Sequence, residues 1–129
     1  MKKKRFKLIN LEKVSFTPII SKAVYLKKNL WIRESKKTLK ELMRIIAKIE
    51  PSIDSYYFEN STSIELNKYG RYIIKGFVYA GFNYNGENTT INIQMDGSIK
   101  FSGIYESEST TIKKFEKWFT KHVSLRTKK

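Results

Sequence analysis

The sequence predicts an α+β fold: a curved antiparallel β-sheet of about five or six strands with two helices packed on one of its faces. Three observations lead there. Two segments, one ending at Pro51 and one near the C-terminus, repeat apolar residues at helical spacing. Between them, β-branched and aromatic residues dominate, interrupted by the turn-forming pairs Asn60-Ser61, Tyr69-Gly70, Asn85-Gly86 and Asp96-Gly97. No low-complexity linker and no clear repeat divides the 129 residues, a length expected of one domain, residues 1–129, with basic arms at 1–7 and 124–129.

Taken in order, "RFKLINL" and "IISKAVYL" read as one or two additional strands, the second at 18–26 with Pro18 at a strand start or edge. The first helix is read in "TLKELMRIIAKIEP". Thr38 and Glu41 match a capping box, Leu39, Leu42, Met43, Ile46 and Ile49 share a face, and Pro51 stops the helix. Strands follow near 55–60, 63–67, 71–84, 89–94 and 98–104. The last helix is expected to start near Ser107, where Glu106 and Glu108 complement the helix dipole. It runs through "TTIKKFEKWFTKHV", burying Ile112, Phe115, Phe119 and Val123 or His122, with Trp118 on the flank.

The stretch "TTINIQMDGSIKFSG" carries the most register information. A two-residue turn at Asp96-Gly97 would set Ile93 opposite Lys100 and mix apolar with polar residues on both faces. A three-residue loop of Met95, Asp96 and Gly97, closed by Gly97 in the left-handed conformation, pairs Ile93 with Ile99 and Ile91 with Phe101 instead. Burial selects this second register, because a one-residue slip exposes the whole apolar set. The other face then holds Asn92, Gln94, Ser98, Lys100 and Ser102. The preceding strand alternates in step: Val78, Ala80, Phe82 and Tyr84 face the core, and Phe77, Tyr79, Gly81 and Asn83 face away. The sheet is therefore expected to be helix-covered on one side and open on the other.

Composition narrows the function classes. The net charge of +14, from 26 Lys and Arg against 12 Asp and Glu, suits a polyanionic partner, although the excess of Lys over Arg is also what AT-rich coding imposes. Basic residues gather at both ends, at Lys2, Lys3, Lys4, Arg5 and Lys7 and again at Lys121, Arg126, Lys128 and Lys129. Cysteine is absent, which excludes a disulfide scaffold, a thiol nucleophile and thiolate metal sites. No apolar run is long enough for a membrane span or a signal peptide, so the expected location is intracellular, in the cytoplasm or in the nucleus of a eukaryotic host.

No Walker loop, dinucleotide fingerprint or metal-ligand spacing occurs. His122 is placed to cap the last helix or fill its stripe, and Asp96 is accounted for by its turn. The reading is therefore of a protein with no catalytic residue, no metal and no cofactor. The Asn88-Thr89-Thr90 triplet matches a sugar-attachment signal only fortuitously.

From Phe77 through Gly103 the sequence resembles one repeat of the TATA-binding protein family: a Phe opening a long strand, Thr-Thr before the next, Gly in the hairpin loop, a strand ending in Gly, and a Ser/Glu-rich approach to the final helix. "TTINIQMDGSIKFSGIYESES" carries the likeness best. The resemblance implies a concave sheet lying on a DNA minor groove, with Phe77 at one of the positions that pry base steps apart. Its companion position holds Gln94, and positions that are mostly apolar or small in the family hold Asn92, Lys100 and Ser102, of which only Ser102 is conservative. The family duplicates the repeat to form a saddle; this chain has room for one, and residues 53–70 interrupt the match.

Together these readings point to a non-enzymatic nucleic-acid-binding protein, with DNA favoured over RNA. Phe77, Tyr79, Asn83, Asn92, Gln94, Lys100 and Ser102 form the sheet-face site, supported by Lys2, Lys3, Lys4 and Arg5. A viral, phage or plasmid transcription or replication factor fits that description, alone or as a homodimer. The competing reading is a protein-interaction module that docks on a larger machine through the same face or a strand edge. No membrane partner is expected.

Overall fold

Period-two alternation from residue 72 onward folds as the sequence predicts, into antiparallel strands with one apolar face. The computed structural model describes residues 4–11, 15–16, 21–103 and 109–128, with backbone alone at 4–7, 15–16, 21, 109–110 and 124–128. Strands β3 (Tyr56–Leu66), β4 (Tyr72–Tyr84), β5 (Glu87–Gln94) and β6 (Ile99–Gly103) form an antiparallel meander in that spatial order. The short strand β2 (Ser15–Phe16) only touches the start of β4, through Ser15 opposite Ile73 and Phe16 opposite Tyr72. The sheet therefore has four strands of working length rather than five or six.

Two differences account for the smaller number. Residues 55–67 make one strand instead of two, because all of β3 from Tyr56 to Leu66 pairs with β4 from Phe82 back to Tyr72, and Asn60-Ser61 is accommodated on an edge strand without turning. The expected strand at 18–26 is contradicted from Ser21 onward; residues 18–20 lie outside the described part of the chain. Helix α1 begins at Ser21 and runs to Ile49, 29 residues or about 43 Å. Val24, Trp31, Leu39, Leu42, Met43 and Ile46 form its buried stripe. Thr38 is thus internal rather than a cap: its Oγ1 donates back to the Glu34 carbonyl at 3.1 Å.

The β5–β6 hairpin has the register the side chains demand. Ile93 lies opposite Ile99, Asn92 opposite Lys100 and Ile91 opposite Phe101. Gln94 N–H bonds Ser98 O and Gly97 N–H bonds Gln94 O, both at 2.9 Å, and Gly97 has φ of +80°. At the β4–β5 turn, Asn85 and Gly86 adopt φ of +53° and +84°, as an Asn-Gly two-residue turn requires.

Both helices pack on the face carrying Val78, Ala80, Phe82, Ile91 and Ile93, all buried. α1 crosses β3 and β4; α2 (Ser109–His122) lies on β6. Phe115 and Phe119 are buried as expected, with Trp118 partly buried beside them. The expected start near Ser107 and its flanking Glu106 and Glu108 fall outside the described residues.

The basic ends are paired strands. β1 (Lys4–Ile9) runs parallel to β7 (Val123–Lys128), matching Lys4 to Val123, Lys7 to Arg126 and Ile9 to Lys128. Trp31 Nε1–H of α1 donates to Ile9 O at 3.0 Å, and Leu11 N–H donates to Met95 O, so the ribbon is tied both to the long helix and to the hairpin loop. Among the described residues no helix is long and apolar enough to cross a membrane.

Candidate nucleic-acid interface

Backbone pairing lays the helix-free face of the sheet out as a grid. One row runs Tyr57, Gly81, Thr90, Ser102; the next Glu59, Tyr79, Asn92, Lys100; the third Ser61, Phe77, Gln94, with Ser98 closing the hairpin beside Gln94. Asn83 lies beyond the first row, opposite Asn88. The sheet thus brings Phe77, Tyr79, Asn83, Asn92, Gln94, Lys100 and Ser102 onto a single face. Lys4 and Arg5 belong to β1, outside this sheet, and Lys2 and Lys3 lie outside the described residues.

A third aromatic completes the cluster. Tyr57, on the edge strand and 51 % exposed, meets Tyr79 edge to face at 6.3 Å, and Tyr79 in turn meets Phe77 at 5.8 Å between centroids. The Tyr57 ring lies directly over Gly81, where a Cβ would come within 2.3 Å of its Cζ. Sequence reading missed Tyr57 because the segment 55–60 had no register against β4. Gly81 in the middle of a central strand is the signal that marks such a close approach.

That contact is testable. Gly81→Ala meets only the far end of a flexible side chain, so Tyr57 swings off the face while the strand stays paired. The expected result is a change in the near-ultraviolet tyrosine spectrum with stability within about 1 kcal/mol of native. Unfolding at a much lower denaturant concentration would show that the ring cannot leave.

The amides are less available than the sequence suggested. Asn92 is 7 % exposed, and its Nδ2 donates to Ser102 Oγ at 3.1 Å. The Ser102 hydroxyl also shares a 2.6 Å hydrogen bond with Thr90 Oγ1. Asn92 and Ser102 therefore stiffen the β5–β6 pair, while Asn83 and Lys100 stay exposed and Gln94 half-buried. At the hairpin tip, Asp96 accepts from the Ser98 hydroxyl and, at 2.8 Å, from the Ser98 N–H; these bonds hold its carboxyl below the ordinary aspartate value.

Charge on the face is balanced. Glu59 and Glu65 of β3 share it with Lys75 and Lys100, and Lys75 is already paired with Glu65 at 3.0 Å. His122, the single histidine, ends α2 with Nδ1–H donating to Trp118 O at 2.8 Å and its ring 4.7 Å from that of Trp118. That is the capping and packing position its place in the sequence suggested.

Compared with known protein families, with curated proteins and with solved structures, the chain matches none.

Proposed function

We propose that this is a non-enzymatic DNA-binding protein whose helix-free sheet face stacks unpaired bases. The observation that carries the reading is the row of rings Tyr57, Tyr79 and Phe77 on an uncovered face, with Asn83, Gln94 and Lys100 around it. Aromatic faces bind bases of any sequence, and a neighbouring amide and ammonium can reach base edges and phosphate. The likeness to a TATA-binding-protein repeat supports the same face. It does not support a minor-groove wedge, since Phe77 sits directly opposite Gln94 where the family has a second apolar residue. Stacking of splayed or single-stranded bases suits this chemistry better than kinking a duplex.

The test is fluorescence anisotropy with a labelled single-stranded oligonucleotide. Tyr79→Ala removes the central ring, and affinity should fall about tenfold, in the range expected for one stacked base. Equal affinity of native and Tyr79→Ala protein would end the stacking model.

The charge balance of the face favours a second reading, a protein-docking surface. Glu59 and Glu65 repel phosphate, and an aromatic cluster with a polar, neutral surround resembles a protein interface. The edge strand β3, paired on one side only among the described residues, offers a further partner surface. A polypeptide that stays bound to the native protein after nuclease treatment, and is lost with Tyr79→Ala, would favour this reading over the first.

A further inference from the structure

We propose that the solvent face of α1 is a docking rail for the phosphate backbone of duplex nucleic acid, separate from the sheet face. The inference shares with the proposed function only the class of partner. α1 carries nine Lys and Arg residues against Glu34 and Glu41. With Val24, Trp31, Leu39, Leu42 and Met43 turned into the core, Arg33, Lys37, Lys40, Arg44 and Lys48 come out exposed on the opposite side. Their spacing of four, three, four and four residues strings five cations along about 22 Å of helix.

The row carries a cost for the helix that Glu34 and Glu41, three or four residues from Lys37 and Arg44, offset only in part. Each neighbouring pair along it is a like-charge pair three or four residues apart, and such pairs destabilise a helix by a few tenths of a kcal/mol. None of the five is salt-bridged to a described residue; the ion pair recorded among those residues is Lys75 with Glu65. Lys40 alone has a recorded ring contact, its Nζ 6.0 Å from the centre of the Phe58 ring. An external polyanion offsets this repulsion along the whole row.

The occupant follows from shape and chemistry. A membrane-surface helix needs apolar residues beside its cations, and a single strand needs rings on which to stack. The five cations have no ring among them, and the exposed Leu26 and Leu30 on the same face lie before Arg33, so the stretch that carries the charge has no large exposed apolar side chain. A line of cations along one helix face matches a rigid polyphosphate, and bonds to phosphates carry affinity without sequence preference. The second helix adds to the same side of the sheet: Lys113, Lys117 and Lys121 are exposed at four-residue steps along α2.

The experiment compares the full chain with an Arg33→Gln, Lys37→Gln, Arg44→Gln triple variant across a salt series, using a mixed-sequence duplex and a single strand of equal length. Gln keeps the helix propensity and the three changes relieve all four like-charge pairs, so the thermal midpoint should not fall and should rise slightly. For the duplex, the slope of log K against log salt should become shallower by nearly three, about 0.9 per lost phosphate contact. Between about 50 and 200 mM salt the variant should then lose roughly fortyfold less affinity than the native protein does. Single-strand affinity should keep its sensitivity to Tyr79→Ala. An unchanged duplex slope, or a native protein that fails to bind duplex at low salt, overturns the rail whatever the single-strand result. Loss of the Tyr79 effect alone removes the sheet-face reading and leaves the rail standing.

Discussion

Phe115→Ala is expected to destabilise the protein by about 3–5 kcal/mol, the range for deleting a buried aromatic ring. The ring is fully buried and is the hub between α2 and the sheet. Its centroid lies 5.0 Å from those of Phe82 and Tyr84, 5.7 Å from Phe101, 5.6 Å from Trp118 and 6.1 Å from Phe119. Removing it leaves a void walled by other rings, which cannot collapse without leaving their rotamers. Since small domains are held by about 5–15 kcal/mol in total, one side chain here is a large share. Urea unfolding measures the loss. Phe115→Leu, which refills part of the volume, should recover much of it. A Phe115→Ala midpoint equal to the native one would mean that α2 does not rest on β6 as described.

The same packing explains which parts of the fold were legible. The β5–β6 hairpin was readable to the residue because only one register puts Ile91, Ile93, Ile99 and Phe101 on the helix-covered face together, the first two buried and the last two partly so. The last helix was readable because Phe115 and Phe119 repeat at a clean helical step. The first seventeen residues of α1 were not. There Tyr25, Leu26 and Leu30 are exposed while Val24 and Trp31 are buried, so apolar residues fall on every side and the helical period is hidden. Without that period, "IISKAVYL" has strand composition, and Thr38 supplies a capping pattern that the continuing helix overrides.

In the terminal ribbon the strand in "RFKLINL" was legible, and β1 bears it out, but its parallel partner was not. β1 and β7 pair in parallel across almost the whole length of the chain, and no turn residue announces a pairing so distant. The ends also read as charged arms because basic residues are frequent in both, and the C-terminal segment offered no strand signal of its own. Paired, Arg5, Lys7, Arg126 and Lys128 share one set of register positions with Ile9, and Phe6, Leu8, Val123 and Leu125 share the other with Lys4 and Thr127. The candidate site was legible to the extent that it depends on β4, β5 and β6. It was incomplete where it depends on β3, whose Tyr57 and Glu59 set respectively its aromatic reach and its charge balance.

Gly76→Ala is expected to cost about 3 kcal/mol or more, although the substitution adds a single methyl group. Gly76 sits in β4 opposite Thr62 with φ of +119°, a conformation L-residues rarely adopt. A Cβ there would lie 1.9 Å from Ser61 O and 2.8 Å from both Ser61 C and Thr62 Cα, all backbone atoms of the neighbouring strand. Nothing flexible can yield, so β3 must separate from β4 around Asn60-Ser61, the pair that reads in the sequence as a turn. Gly76 also stands where β4 passes from its contact with β2 at Tyr72 and Ile73 to its pairing with β5 from Phe77 onward, so the distortion reaches the strand that carries Phe77 and Tyr79. Gly81→Ala is the control, an added methyl group on the same strand that meets only the Tyr57 side chain. Paired denaturation curves should separate the two by at least about 2 kcal/mol. Equal stability of the two variants would mean that β3 and β4 do not pair in this register, and the aromatic cluster that depends on that register would fall with it.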